Sequence, residues 1–479
     1  MSAEASEQQP EAPPNPGTTV ASLRKAGMAG AVMRWANLSG ADLSEANLAK
    51  ADMSGSVLAG TDLSKANLAR TDLRWANLVG TNLVGASLVR ADLTGSVLTG
   101  AVLVSANLTR ANLGKADLSA RPDEAGESEQ PTDLTEANLS RANLAGAKAT
   151  DACLVRAVLS RANLAEASLD RAVMTAMVAD HANFARATMA GVDLSGANLS
   201  GANLTGADLA AANLAGANLA GANLAGANLA GANLAGANLA GANLSGAKLA
   251  HASLTGAKAN SANASRADLG EADLAEADLS GANLTEANLS NANLTSVIAR
   301  GATLAKATLV DARLSPSDLS GANLSAANLT RTLLAGATMA GANLSKARLA
   351  NVNLRGADLT GANLSGATLL IEPVGPAMLD EFDAESAEST SDSSTADSSF
   401  GDASTGDALT GDVDLEVGLA ETESGSSETP QSESLDAAKE EGAPTDSSAS
   451  DSWEDLFASE RLDPSVDLTG RGRQSGESR

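Results

Sequence analysis

The two histidines, His181 and His251, and the one cysteine, Cys153, are the side chains of this 479-residue chain best suited to metal binding or nucleophilic catalysis. Nothing around them supports either. The histidines are far apart in sequence. Cys153 has only Arg156 beside it as an activating group and reads as neutral variation. Carboxylates close in sequence, such as Glu271 and Asp273, belong to a solvated face. No G-x-x-x-x-G-K-S/T phosphate loop occurs. The residues therefore predict no catalytic, cofactor or metal site, and a chain that is not an enzyme.

Two regularly spaced arrangements bear on function. Lys50, Arg70, Arg90 and Arg110 recur at equal intervals, and Asp52, Asp72 and Asp92 follow the first three two positions later. The second arrangement is a repeated Arg-Trp pair, Arg34-Trp35 and Arg74-Trp75, with Gly55 midway between the two tryptophans.

What positions these groups is a repeat of the form A-(N/D)-L-x-x. Its central residue i, usually Leu, recurs with a period of five from Leu23 to Leu118 and again from Leu134 to Leu369. A period of five matches neither 3.6 nor 2, so no regular helix or flat strand can keep leucine on one face, and the chain must turn once per repeat. Met28, Met33, Met53, Met174, Phe184, Met189 and Met339 replace leucine conservatively, whereas Ala149, Ala179, Ala259, Ala264 and Ala299 would thin a core built on these centres.

The repeat resembles the pentapeptide-repeat family over residues 21–371. That resemblance implies an all-β fold, a right-handed quadrilateral parallel β-helix with four repeats per coil. Leu at i and Ala at i−2 then point inward, while i−1, i+1 and i+2 point outward. A narrow axis explains an aromatic content of 1% with no tyrosine. The 20 and 48 centres would give about 17 coils and a solenoid about 80 Å long at ~4.8 Å per coil.

The same geometry assigns places to the outward groups. His181 and His251 fall three and a half coils apart, on opposite faces, and cannot share a metal; Cys153 should be exposed. Lys50, Arg70, Arg90 and Arg110 stack in one column beside Asp52, Asp72 and Asp92, which predicts an ion-pair ladder, each exposed pair contributing ~0–1 kcal/mol. Phosphate binding requires unpaired cations and only Arg110 lacks its aspartate, so direct nucleic-acid binding is disfavoured. Trp35 and Trp75 share an outward face two coils apart. A soluble protein has no need of tryptophan there, so this pair with Arg34 and Arg74 is the best candidate for contact with a protein partner.

The spacing breaks between Leu118 and Leu134, which reads as three periods plus a one-residue shift of frame, with an exposed loop at 121–131. The stretch Gly196 to Gly246 is almost pure (S/A)-G-A-N-L and reads as a spacer whose smooth faces are compatible with a homodimer or lateral self-association.

The remaining chain has a different character. Residues 1–20 and 383–451 are polar, and the latter too acidic and too poor in apolar residues to fold, so both are expected to be disordered, as is 464–479. Residues 372–382 supply apolar groups for a C-terminal cap. Within 452–463, Trp453, Leu456 and Phe457 fall at i, i+3 and i+4 of a short amphipathic helix suited to a partner's groove. No secretory signal and no stretch of eighteen apolar residues is present, so the expectation is a cytoplasmic protein without a membrane span.

The net charge of −27 divides as −3 for 1–20, −1 for 21–371 and −23 for 372–479. Some pentapeptide-repeat proteins resemble duplex DNA and present an acidic rod to gyrase. The local match to that pattern, Asp268, Glu271, Asp273, Glu276 and Asp278, spans little more than half a coil. The expected function is a non-enzymatic scaffold for an unidentified protein partner, acting through outward faces and the C-terminal motif. The alternatives are a DNA-mimicking modulator or protector of a type II topoisomerase and a structural spacer or lateral-assembly rod.

Overall fold

A computed structural model describes residues 21–122 and 129–370. The chain separates into two units, Met1–Ser391 and Asp392–Arg479, and all described residues belong to the first. The N-terminal segment 1–20, the cap 372–382, the acidic tail 383–451, the candidate helix 452–463 with Trp453, Leu456 and Phe457, and the end 464–479 lie outside the described residues.

The described residues form a parallel β-solenoid. The i−1 residue of each repeat pairs with the i−1 residue twenty positions later, as in Asp42 with Asp62 and Asn198 with Asn218. Four repeats thus complete a coil, and four columns of bridges run along the molecule. Most strands are single bridges; in the last coils they widen into a parallel pair, Arg348–Ala350 with Thr368–Leu370. Among the described residues there is no helix, and hence none long and apolar enough to cross a membrane.

One repeat shows why the consensus holds the chain in this shape. In residues 62–66, Asp62 N–H donates to Ala41 O (2.9 Å), Leu63 N–H to Asn82 O (2.7 Å) and Lys65 N–H to Val84 O (2.9 Å). Ala66 N–H closes the turn on Leu63 O at 3.0 Å. The fifth donor, Ser64 N–H, has no backbone partner and is taken by Asp62 Oδ1 at 2.9 Å. Every N–H of the repeat is therefore satisfied, and the last one is satisfied only because position i−1 carries a side-chain oxygen. The turn has its positive φ at i+2, 57° at Lys65, as a type II turn requires.

From Leu43 to Leu349 the residues at i and i−2 are inward and buried, forming one continuous core; in the terminal coils they are only partly covered. Threonine at i−2 is accommodated because its hydroxyl donates to a carbonyl of the preceding coil, as Thr71 does to Leu48 O at 2.8 Å. At two places the inward pair exchanges volume: Met177 stands at i−2 beside Ala179, and Val297 beside Ala299, all buried. Ala259 and Ala264 have no such compensation, and Ala264 is correspondingly the most exposed core alanine, at 7%.

The interruption after Leu118 is an insertion, not the expected shift of frame. Val102 pairs with Asp133 and Asn107 with Asn138, an offset of 31. Eleven residues leave the coil and return, and the columns resume in register. The base of the excursion is a short antiparallel ladder, Arg121–Pro122 with Glu129–Gln130.

Candidate functional site

The side chains with chemical potential stay outward and apart. His181 and His251 are both exposed; the His251 Nδ1 lies 3.3 Å from Glu271. Cys153 is half-buried rather than exposed as expected, because position i−1 stands in a bridge column between neighbouring coils, Asp133 before it and Val173 after; the Thr135 hydroxyl lies 3.3 Å from its Sγ. Among the described residues no three His, Cys, Asp or Glu side chains form a metal-binding group.

Trp35 and Trp75 occupy i+2 of the same column, two coils apart, with 76% and 65% of their surface exposed. Each ring lies over the glycine of the next coil. A Cβ added to Gly55 would fall 2.3 Å from Trp35 Cε3, and one added to Gly95 2.2 Å from Trp75 Cζ3. Exposed Val32 stands at i−1 of the same repeat as Trp35. Arg34 and Arg74, adjacent to the rings, are ion-paired: Arg34 with Asp52, and Arg74 with Asp72 at 2.6 Å and Asp92 at 3.9 Å. Asp52 is held below its ordinary pKa by the Ser54 hydroxyl and by Arg34, and Asp72 is held below its own by Arg74, whose guanidinium is raised in turn.

The expected ladder between Lys50, Arg70, Arg90, Arg110 and these aspartates is not formed. The reason is the fifth N–H of the repeat. Ser54, Arg74 and Thr94 N–H each bind the Oδ1 of Asp52, Asp72 and Asp92, at 3.2, 3.1 and 3.0 Å. This turns each carboxylate away from the preceding corner and toward position i+1, where Arg34 and Arg74 reach it. The four cations keep no acidic partner among the described residues.

The cationic column is also longer than the twenty-residue spacing showed. Arg110 N–H donates to Ser140 O and Arg141 N–H to Ser160 O, so the column continues through Arg141 and Arg161. Neither residue has an ion pair among the described residues. Counting 31 instead of 20 across the insertion finds both in the sequence. A shallow groove along this face is lined by Ala69, Val89, Thr109 and Ser140 together with Arg70, Arg90, Arg110 and Arg141.

Comparison with known proteins gives a consistent picture. A family model described as pentapeptide repeats (8 copies) matches in overlapping segments over 21–120, 132–201 and 207–369. Among solved structures, HetL, a pentapeptide repeat protein involved in heterocyst differentiation regulation from the cyanobacterium Nostoc sp. strain PCC 7120, is 35% identical over 45% of this chain and 92% of its own, with a TM-score of 0.35. A trypsin-treated form of QnrB1, a plasmid-mediated fluoroquinolone resistance protein, is 20% identical over 44% of this chain and 96% of its own, with a TM-score of 0.23. Rfr23 from the cyanobacterium Cyanothece 51142 is 32% identical over 33% of this chain and 85% of its own, with a TM-score of 0.12. No curated protein sequence matches.

Proposed function

The chain belongs to the pentapeptide-repeat family, and from that membership we propose that it is a non-enzymatic scaffold that holds a protein partner against the outward faces of its N-terminal coils. Members of the family are right-handed β-helices, and the solenoid of about 17 coils read from the repeat count would serve to set contacts at fixed distances.

The observation that carries this reading is the seating of Trp35 on Gly55 and of Trp75 on Gly95. A large apolar ring with most of its surface in water is costly to expose. One held against its own backbone is in addition already ordered, so less side-chain freedom is lost on contact. A DNA-mimic reading has less support. The longest run of carboxylates in any one column of the described residues, Asp52, Asp72 and Asp92, is neutralised by Arg34 and Arg74 rather than displayed.

Two variants test the scaffold reading. Trp35→Ala/Trp75→Ala removes the rings; Gly55→Ala/Gly95→Ala keeps them but displaces them from their seats. Captured proteins from a native extract should fall at least severalfold in both, with the rings' removal leaving thermal unfolding unchanged. Equal capture by wild type and both variants would exclude the tryptophans as the contact.

A further inference from the structure

Among the described residues the six cations of one column have no ion pair, and the proposed scaffold does not use them. Lys50, Arg70, Arg90, Arg110, Arg141 and Arg161 are all exposed and stand at i+2 of six consecutive coils, at a coil spacing of about 4.8 Å. The face they edge consists of the repeats 46–50, 66–70, 86–90, 106–110, 137–141 and 157–161, which contain no aspartate or glutamate. The first acidic residue on this face is Asp180, where the column reaches His181. Six like charges at this spacing repel one another, and the nearest column of carboxylates is turned to other partners. Folding therefore leaves a line of positive charge for something outside the described residues to neutralise.

We propose that this face binds the backbone of a single-stranded polynucleotide. Three features of the groove decide the chemistry. Beside the cations its lining residues Ala69, Val89, Thr109 and Ser140 are small and uncharged, so they offer a peptide little to distinguish one side chain from another. Its backbone N–H groups are already bonded within and between coils, so it offers no free strand edge for an extended peptide to join. What remains is a straight row of guanidinium groups, which suits a polymer with one anionic group per backbone unit. A duplex fits less well than a single strand. The flanking i+2 columns carry Glu45, Lys65, Gly85 and Ser105 on one side and Gly55, Trp75, Gly95 and Lys115 on the other, so neither supplies a second row of cations for a duplex's other strand.

The test uses the full chain and a fluorescein-labelled oligo(dT) of about 15 nucleotides, within the usual site size for single-strand binders. With six contacts, log K should fall with log salt at a slope of about −4, so that affinity drops roughly 300-fold between 50 and 200 mM. Arg90→Gly/Arg110→Gly/Arg141→Gly should reduce that slope to about −2 and weaken binding at least tenfold. The fold should survive these changes, because all three positions have φ near +60°, where glycine is at ease and where the same column already carries Gly201 and Gly221. Arg186→Gly/Arg266→Gly/Arg331→Gly removes the same charge from elsewhere and should leave the slope intact. No binding at 50 mM salt, or an equal loss in the second triple variant, would overturn the proposal. So would binding of a matched duplex or of polyglutamate as tightly as the oligonucleotide, which would move the face to another partner class.

Discussion

Replacing asparagine by aspartate at position i−1 should be harmless in one coil and damaging in the next. Asn198 and Asn218 are stacked neighbours in one column. Each Oδ1 accepts the N–H two residues on, Ser200 at 3.2 Å and Ala220 at 3.3 Å. An N–H can only donate, so this bond fixes which end of the carboxamide faces the turn and leaves Nδ2 to point at the preceding coil. Asn218 Nδ2 accordingly donates to Asn198 Oδ1 at 3.1 Å, and Asn238 Nδ2 to Asn218 Oδ1 at 3.0 Å. The ladder has a direction. Asn198 is its first rung, standing on Val178, which offers its Nδ2 no side-chain acceptor. Asn198→Asp therefore loses nothing, and its carboxylate still accepts from Asn218 and Ser200; its effect should lie within about 0.5 kcal/mol. Asn218→Asp removes a donor and sets two acceptors about 3 Å apart on a half-buried face, for a loss of about 1–2 kcal/mol. The native chain already obeys this rule. Asp62, Asp92, Asp193, Asp208, Asp268 and Asp273 each lie beneath an asparagine of the following coil, and among the described residues no i−1 aspartate stands on an asparagine of the preceding one. Urea unfolding followed by far-UV circular dichroism at pH 7 should separate the variants by about 1.5 kcal/mol. The gap should close below pH 4, where a protonated carboxyl introduced at position 218 donates to Asn198 again. Equal midpoints for the two variants at pH 7 would refute a directional ladder.

Acid should weaken the N-terminal coils. Asp42, Asp52 and Asp72 are held below the ordinary value of 3.8, chiefly by the Ser44 hydroxyl, the Ser54 hydroxyl and Arg74 respectively. A depressed folded pKa stabilises above the unfolded value and loses that contribution as pH falls through the folded one. The unfolding temperature should thus be flat from neutral pH to about 5 and decline progressively below it, most steeply under 3.8; a decline beginning above about pH 6 would contradict the assignment. In the core, Ala264→Leu restores the usual residue at a thin coil and should stabilise by up to ~2 kcal/mol for the added buried methyl and methylene groups. Ala217→Leu, at the crowded i−2 position, should destabilise by about 1–3 kcal/mol. Thermal scans giving the same sign for both would show that i and i−2 do not differ as the packing requires.

That the chain turns once per repeat was legible from the period of five, and the inward places of Leu at i and Ala at i−2, implied by the family resemblance, are the ones the structure buries. The reason for Asn or Asp at i−1 was not legible, since it depends on counting five N–H donors in a repeat whose backbone pairing uses four. The same bond defeated the ion-pair reading. Spacing placed Asp52, Asp72 and Asp92 beside the cations, but a hydrogen bond of the carboxylate to its own turn governs where it points. The insertion hid Arg141 and Arg161 for an arithmetic reason. The interval from Leu118 to Leu134 is equally three periods plus one or one period plus eleven, and only the bridge offset of 31 decides.

The i+2 corner is where this fold can carry function, and its backbone explains the uneven distribution of side chains there. The position has φ near +60° in almost every described repeat, Pro316 being an exception, and glycine adopts this freely whereas other L-residues do so at a cost of about 1 kcal/mol. A corner with no task should therefore drift to glycine. From residue 191 to 256 it does so almost uniformly, with Ala211 and His251 as exceptions. From residue 35 to 186 the corners are mostly charged or aromatic, and they include both exposed tryptophans and the whole cationic column. Strain repeated along one column over six successive coils is hard to ascribe to chance, because each position alone would be relieved by glycine without disturbing the core. After residue 256 charged corners return, but Arg266 and Lys306 are paired with Glu286 and Arg331 with Asp311, so they serve the solenoid itself. The partner surfaces of the described solenoid are thus expected on its N-terminal coils, with the glycine-cornered stretch 191–256 serving as spacer.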